Sequence, residues 1–282
     1  MNLPRKFRAM LNVLSFFTED KLTYAANGII VYDFDDSKKN EFILHVRDFY
    51  RKAFISDEDL EANVTNLGTT RKEEIEAVIP TDPSIMSGDF GEILSYAIFT
   101  QLNSMYNIAP LRWRWKEERD RAVHFTDIMI LCCPDENNPQ TNDKMMTLEV
   151  KTRATKPGAT ESSINKAIEG AVNDSVSRGG KTLLFMQQQF KKEKNFDAVK
   201  KVKRFEESVV TPYEEYHNAV AIVEREFLSS HHIANLNNEI LNKVTDYNNT
   251  GNQLNKYMYV FVVPVAELKS VYESLYSSVK NS

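Results

Sequence analysis

Leu148-Glu149-Val150-Lys151-Thr152 ends a run that begins at Lys144, and the reading of the chain turns on it. Met145, Met146, Leu148 and Val150 predict a strand over 144–151. Residues two apart on a strand face the same way, so the Glu149 carboxylate and the Lys151 ammonium emerge side by side. Upstream, a second strand is predicted over 123–131, joined to the first by the polar connection Pro134-Asp135-Glu136-Asn137-Asn138-Pro139. A hairpin of this kind lays Asp127 next to Glu149. Further upstream, Phe90, Ile93, Leu94, Ala97, Ile98, Leu102 and Met105 recur at helical spacing, with Ser87 as the expected cap and Asp89 favoured by the helix dipole. Tyr96 and Phe99 widen the apolar stripe, so Glu92 lies on a mostly buried helix.

Carboxylates gathered at one sheet edge repel each other unless a cation is bound, and oxygen-only ligands suit Mg²⁺ or Mn²⁺. Such an ion polarises a phosphodiester and generates hydroxide at neutral pH, while Lys151 can orient water or balance charge. A buried Glu92 costs several kcal/mol unless it is paired or coordinated. The tripeptide itself carries little, because Glu19-Asp20-Lys21, Asp36-Ser37-Lys38 and Glu267-Leu268-Lys269 share it outside strand context. An exposed strand pair at Glu149/Lys151, with Glu92 serving an arginine, is the competing reading.

Around this centre the sequence predicts a third strand over 111–116, a helix over 162–177 and a strand over 182–186. The order is helix, three strands, helix, strand. Before it come a helix near 7–14, a strand over 28–34, a helix over 41–54 and an acidic stretch over 56–76 expected to be solvated surface. After it come a basic helix over 191–207, a strand over 219–224, a helix over 234–247, a strand over 257–263 and a helix over 266–279. The expected divisions are an N-terminal α/β extension at 1–80, a core at 81–190 and C-terminal α/β elements at 191–282. No repeat or low-complexity tract interrupts them.

Helix-Glu92, strand-Asp127 and Glu149-Val150-Lys151, in that order, resemble the PD-(D/E)xK nuclease superfamily. The segments Ser87-Gly88-Asp89-Phe90-Gly91-Glu92-Ile93-Leu94, His124-Phe125-Thr126-Asp127 and Leu148-Glu149-Val150-Lys151-Thr152 more narrowly resemble the HamA family of Hachiman antiphage defence systems. Thr126 stands where the superfamily's name-giving proline belongs. The resemblance spans roughly residues 85–187 and implies a restriction-endonuclease-like α/β core. It implies Asp127 and Glu149 as metal ligands, Lys151 as the catalytic lysine, and Glu92 as an auxiliary ligand or water-positioning group. It further implies DNA as substrate, Mg²⁺ as cofactor with Mn²⁺ as a substitute, and a HamB-like superfamily-two helicase as partner. A nuclease-fold subunit that only docks on a helicase, and a restriction or repair endonuclease acting alone, are the alternatives.

Other motifs carry less. Gly179-Gly180-Lys181-Thr182 fails as a phosphate-binding loop, because Ser175 replaces the first glycine, and is read as a helix end and turn. His124 lies three residues before Asp127, near enough to approach the site. Trp113 and Trp115 alternate with Arg112, Arg114 and Lys116, giving an aromatic and a basic face. Arg153, Lys156, Lys191, Lys192, Lys194, Lys200, Lys201, Lys203 and Arg204 are the candidate DNA contacts. The two cysteines, Cys132 and Cys133, are neighbours and suit a reducing compartment. No apolar run approaches ~18 residues, so a soluble, cytoplasmic chain without a membrane span is expected.

With 35 Lys+Arg against 40 Asp+Glu in 282 residues, the net charge of -5 excludes a uniformly basic nucleic-acid coat. The balance is uneven along the chain. Residues 82–149 carry 6 Lys+Arg against 11 Asp+Glu, whereas residues 151–204 carry 13 against 5. An acidic, metal-binding half is thus followed by one able to hold phosphates.

Overall fold

Apolar strands from the second half of the chain build the middle of the sheet. The computed structural model describes residues 12–20, 29–103, 108–123, 125–155, 162–206, 212–228, 242, 244–250 and 256–282. Its strands are β1 (Phe17–Asp20), β2 (Ile29–Phe34), β3 (Ile128–Cys132), β4 (Lys144–Arg153), β5 (Glu214–Glu224), β6 (Lys256–Tyr257) and β7 (Val260–Val265). They form one mixed sheet in the order β1-β2-β7-β5-β4-β3, with β6 also paired to β5. The two edge pairs, β1 with β2 and β3 with β4, are antiparallel; β2, β7, β5 and β4 run parallel. Parallel strands must be covered on both faces, which explains the unbroken apolar runs Ala219–Val223 and Val260–Val265.

The helices are α1 (Lys39–Phe54), α2 (Asp57–Leu67), α3 (Arg71–Val78), α4 (Pro83–Leu102), α5 (Ser163–Asn173), α6 (Gly179–Lys192), α7 (Phe196–Lys203) and α8 (Leu268–Lys280). One face of the sheet, through Val150, Val220, Ile222 and Val263, packs against α1, α4 and α8. The other face, through Ala219, Ala221 and Val262, packs against Ile164, Ala167, Ile168 and Ala171 of α5. A third cluster places α6 and α7 against the β3–β4 hairpin. Among the described residues, no helix is long and apolar enough to cross a membrane.

Several expectations are corrected. No strand forms over 111–116: Arg112–Trp115 is a 3₁₀ turn, closed by the Arg114 N–H on the Leu111 carbonyl and the Lys116 N–H on the Trp113 carbonyl, with Arg112 and Trp113 both buried. The expected strand over 182–186 is part of α6, where Leu183, Met186 and Phe190 are buried at helical spacing. Gly179 and Gly180 open that helix and end none. The core order of helix, three strands, helix, strand therefore changes to a helix, two antiparallel strands and a long helical segment. α4 starts earlier than expected, at Pro83, with the Asp82 carboxylate accepting the N–H groups of Ser84 and Ile85.

Further boundaries shift. The acidic stretch holds two capped helices, α2 and α3, which bury Leu60 and Ile75. The basic helix breaks at Lys194, whose φ of 57° is left-handed, and Asn195 caps α7. The predicted helix near 7–14 falls mostly outside the described residues; within them, Val13–Phe16 is a 3₁₀ turn. The helix over 234–247 does so too, although 244–250 is helical.

Candidate active site

Two close approaches position the site. α4 crosses β4 where Gly91 faces Thr152; a Cβ at Gly91 would meet Thr152 Oγ1 at 1.9 Å. α5 crosses the opposite face where a Cβ at Gly170 would meet the Glu149 carboxylate at 2.4 Å. Only glycine lets both helices reach the strand that carries Glu149 and Lys151. Val150 is buried between them in sequence, facing the α4 side.

Asp127 lies just before β3, whose Ile128 pairs with Leu148. Its Oδ2 accepts the Val150 N–H at 2.8 Å, which pins the carboxylate against β4. The preceding loop is held tightly. Phe125 has a φ of 75°, a conformation costing a residue with a side chain ~1–2 kcal/mol, and its ring packs on Phe185. Buried Thr126 donates its N–H to Thr182 Oγ1 at 3.3 Å, and the two hydroxyls lie 3.0 Å apart. Proline at 126 has no N–H, so threonine here fastens the Asp127 loop to α6.

Lys151 Nζ stands 2.5 Å from Glu149 Oε1 and 4.0 Å from Asp127 Oδ2. Arg178 approaches the other oxygen, Oε2 of Glu149, at 3.2 Å. Burial, then the Glu149 charge, pushes the Asp127 carboxyl up to about 6. Burial works against the Lys151 ammonium, but Asp127 and Glu149 outweigh it and hold its pKa above the ordinary lysine value. Lys151 is therefore a cation at neutral pH.

Glu92 reaches the site from the α4 side. Its Oε2 accepts the Trp113 Nε1–H at 3.1 Å. Burial, then the Asp127 charge, drives its carboxyl well above the usual range and favours the protonated acid. Nearby, Asp89 and Lys116 form a buried ion pair at 2.5 Å, so Asp89 serves a salt bridge and not the helix dipole.

Asp174 was not anticipated. It sits in a π-helical segment, Asp174–Arg178, between α5 and α6. Burial, then Glu149, raises its carboxyl to about 7. The sequence held a usable signal, since Ile164, Ala167, Ile168 and Ala171 define an apolar stripe that Asp174 continues at helical spacing. Arg178 follows it by four residues.

The expected DNA contacts separate. Lys191, Lys192 and Lys194 are exposed at the end of α6, about 20 Å along that helix from Arg178. Lys200 and Lys203 are exposed on α7, and Lys201 pairs with Glu136 at 2.8 Å. Arg204 is engaged by the fold: its side chain is 8% exposed, bridges to Asp143 at 2.6 Å and donates to the Asp135 and Asn138 carbonyls, so it ties the β3–β4 hairpin to α7. Arg153 donates to the Thr155 carbonyl at the end of β4. Lys156 and His124 lie outside the described residues. The basic face expected over 112–116 turns inward, with Arg112 on the Val123 carbonyl, Arg114 on the Lys52 carbonyl and Lys116 on Asp89.

Among the described residues, no three His, Cys, Asp or Glu side chains form a closed metal cage. Mg²⁺ seldom needs one: it keeps several waters and takes one or two carboxylates together with substrate phosphates. Asp127 and Glu149, all-oxygen donors flanking one ammonium, suit that demand. The HamA family model matches residues 13–279 of the chain. No curated protein matches it.

Proposed function

The chain belongs to the HamA family, a component of Hachiman defence systems, and from that premise we propose that it is a Mg²⁺-dependent deoxyribonuclease. It hydrolyses DNA phosphodiester bonds with little sequence preference, under the control of a HamB-like superfamily-two helicase. Its core is of PD-(D/E)xK type. The observation that carries this reading is the convergence of Asp127, Glu149 and Lys151 at the end of the β3–β4 hairpin.

Asp127 and Glu149 would hold the ion, which when bound would supply Lewis acidity to the phosphate and lower the pKa of its water. Lys151, charged at neutral pH, acts as a hydrogen-bond donor and electrostatic partner of the reacting phosphate and not as a general base. The Val150 N–H fixes the orientation of Asp127, and Gly170 leaves the space Glu149 needs. Glu92, whose Oε2 accepts the Trp113 Nε1–H and whose carboxyl is driven well above the usual range by burial and then the Asp127 charge, is an auxiliary group on the α4 side.

The test is cleavage of linear DNA in Mg²⁺, with the helicase partner present, by the wild type and by Asp127→Ala, Glu149→Ala and Lys151→Ala. Each substitution is expected to reduce the rate by about 10²-fold or more. Equal rates in all four proteins would reject these roles. A second reading, a nuclease-fold subunit that only docks on the helicase, draws on the two cations already neutralising Glu149. Calorimetric silence toward Mn²⁺, in both isolated and partner-bound protein, would favour it.

A further inference from the structure

Arg178 is the second cation on Glu149, and its surroundings go beyond charge balance. Its Nη1 lies 3.2 Å from Glu149 Oε2 and its Nε lies 3.3 Å from Asp174 Oδ1. The two carboxylates are closed to solvent, with side chains 4% and 0% exposed, whereas the Arg178 side chain is 32% exposed. The guanidinium is thus the open member of the trio. Among the described residues, Asp174 has Arg178 as its near cation, with the Thr126 hydroxyl as a weaker polar neighbour. The pair is carried by a π-helical turn, a rare distortion that collects at functional sites. Thr182 Oγ1, 3.0 Å from the Arg178 carbonyl, links that turn to the Thr126–Asp127 loop.

An arginine held at Nε presents its terminal nitrogens as a fork, and that fork matches two oxygens of a phosphate. We propose that Arg178 is a substrate-contacting residue that binds the DNA backbone phosphate arriving beside Glu149, and that Asp174 is the positioning residue that aims it. This deepens the nuclease reading and rests on it for the identity of the substrate. When a cation occupies Glu149, Arg178 gives up that oxygen and keeps Asp174. The guanidinium then faces the incoming phosphate beside Oε2 of Glu149, whereas Lys151 stands at Oε1.

The experiment measures binding of a fluorescein-labelled DNA duplex to the full chain with its helicase partner, by anisotropy, in Ca²⁺, over about 50–200 mM salt. Arg178→Gln is expected to weaken binding about tenfold. It also makes the plot of log affinity against log salt shallower by about 0.9, the loss of one phosphate contact. Arg178→Lys keeps the slope and recovers only part of the affinity, because an ammonium is a point charge without the fork. Asp174→Asn gives a partial loss and adds nothing when combined with Arg178→Gln.

Wild-type slope and affinity in Arg178→Gln overturn the proposal. So does a tighter Mn²⁺ isotherm in that variant with its DNA slope unchanged, which makes Arg178 an internal counter-ion. A wild type that binds no duplex also overturns it. A wild type that binds DNA but leaves it intact in Mg²⁺ sinks the nuclease reading and leaves the Arg178 slope to be judged separately. Arg178→Lys, matched to the wild type by near-ultraviolet circular dichroism, guards against a folding defect.

Discussion

At the scale of single residues, the candidate site is a place where the fold works against itself. The Asp127 carboxyl is raised from about 3.8 to about 6 by burial and by Glu149, so the native state takes up a proton before the unfolded chain does. The destabilising effect of this charge is absent below pH 4, grows between pH 4 and 6, and is complete above 6. Asp127→Asn, in EDTA, is therefore expected to raise Tm by several degrees at pH 8, with the gain gone by pH 4, as read by a pH series of thermal melts. An unchanged or lower Tm at pH 8 would contradict this account. Gly170 gives the opposite case. A methyl group 2.4 Å from the Glu149 carboxylate must displace either α5 or Glu149, so Gly170→Ala is expected to cost about 1–3 kcal/mol in urea unfolding and most of the DNA cleavage. The side-by-side placement of Glu149 and Lys151 could be read from sequence because alternation along a strand states which way a side chain points, whereas Asp127, expected on a strand, lies just before β3 and reaches β4 through the hairpin pairing. Neither Gly170 nor Gly91 could, because their importance lies in contacts with strands far away in the chain.

At the scale of elements, the readings that failed share a cause. Thr182-Leu183-Leu184-Phe185-Met186 is a short apolar run, and such runs fit a buried strand or a buried helix equally well by pattern. Its neighbours decide: Leu183 and Met186, three residues apart, face the same cluster as Ala198 and Val202 of α7, which a helix satisfies and a strand does not. The stretch 111–116 alternates Trp and Arg as a strand would, yet each basic side chain finds an inward carbonyl or carboxylate. β5 and β7 were legible because parallel strands are apolar on both faces. Arg204 illustrates the same limit for charge, since a basic run does not reveal which member is taken by the fold. Its partner Asp143 is 2% exposed and would be left buried without its cation. Arg204→Ala is therefore expected to destabilise by about 3–5 kcal/mol, measured by urea unfolding, whereas Lys200→Ala and Lys203→Ala change stability by less than about 0.5 kcal/mol. A stable Arg204→Ala variant would return that residue to the candidate DNA contacts.

At the scale of the molecule, the sheet order decides how the expected divisions behave. Residues 81–190 contribute β3 and β4 alone, an antiparallel pair at one edge. β4 takes its other neighbour, β5, from the C-terminal stretch, and β5 is followed by β7, which in turn pairs with β2 from the N-terminal stretch. Two strands joined by a hairpin are marginal in water even with helices attached to one side. The site shares that dependence: α4 is pressed onto β4 between the sheet and the aromatic contacts Tyr50–Phe90 and Phe90–Tyr272, which come from α1 and α8. We therefore expect the full chain to unfold in one calorimetric transition, with van't Hoff and calorimetric enthalpies in agreement. A fragment of residues 81–190 should give no cooperative transition and no Mn²⁺ binding. Two resolved transitions in the full chain, with the fragment reproducing one of them, would mean that the segment 81–190 folds by itself. In the expected case, Asp127 and Glu149 are held at their spacing by strands drawn from all three stretches. Any contact that shifts β2 or β7 can then reach the site through the sheet.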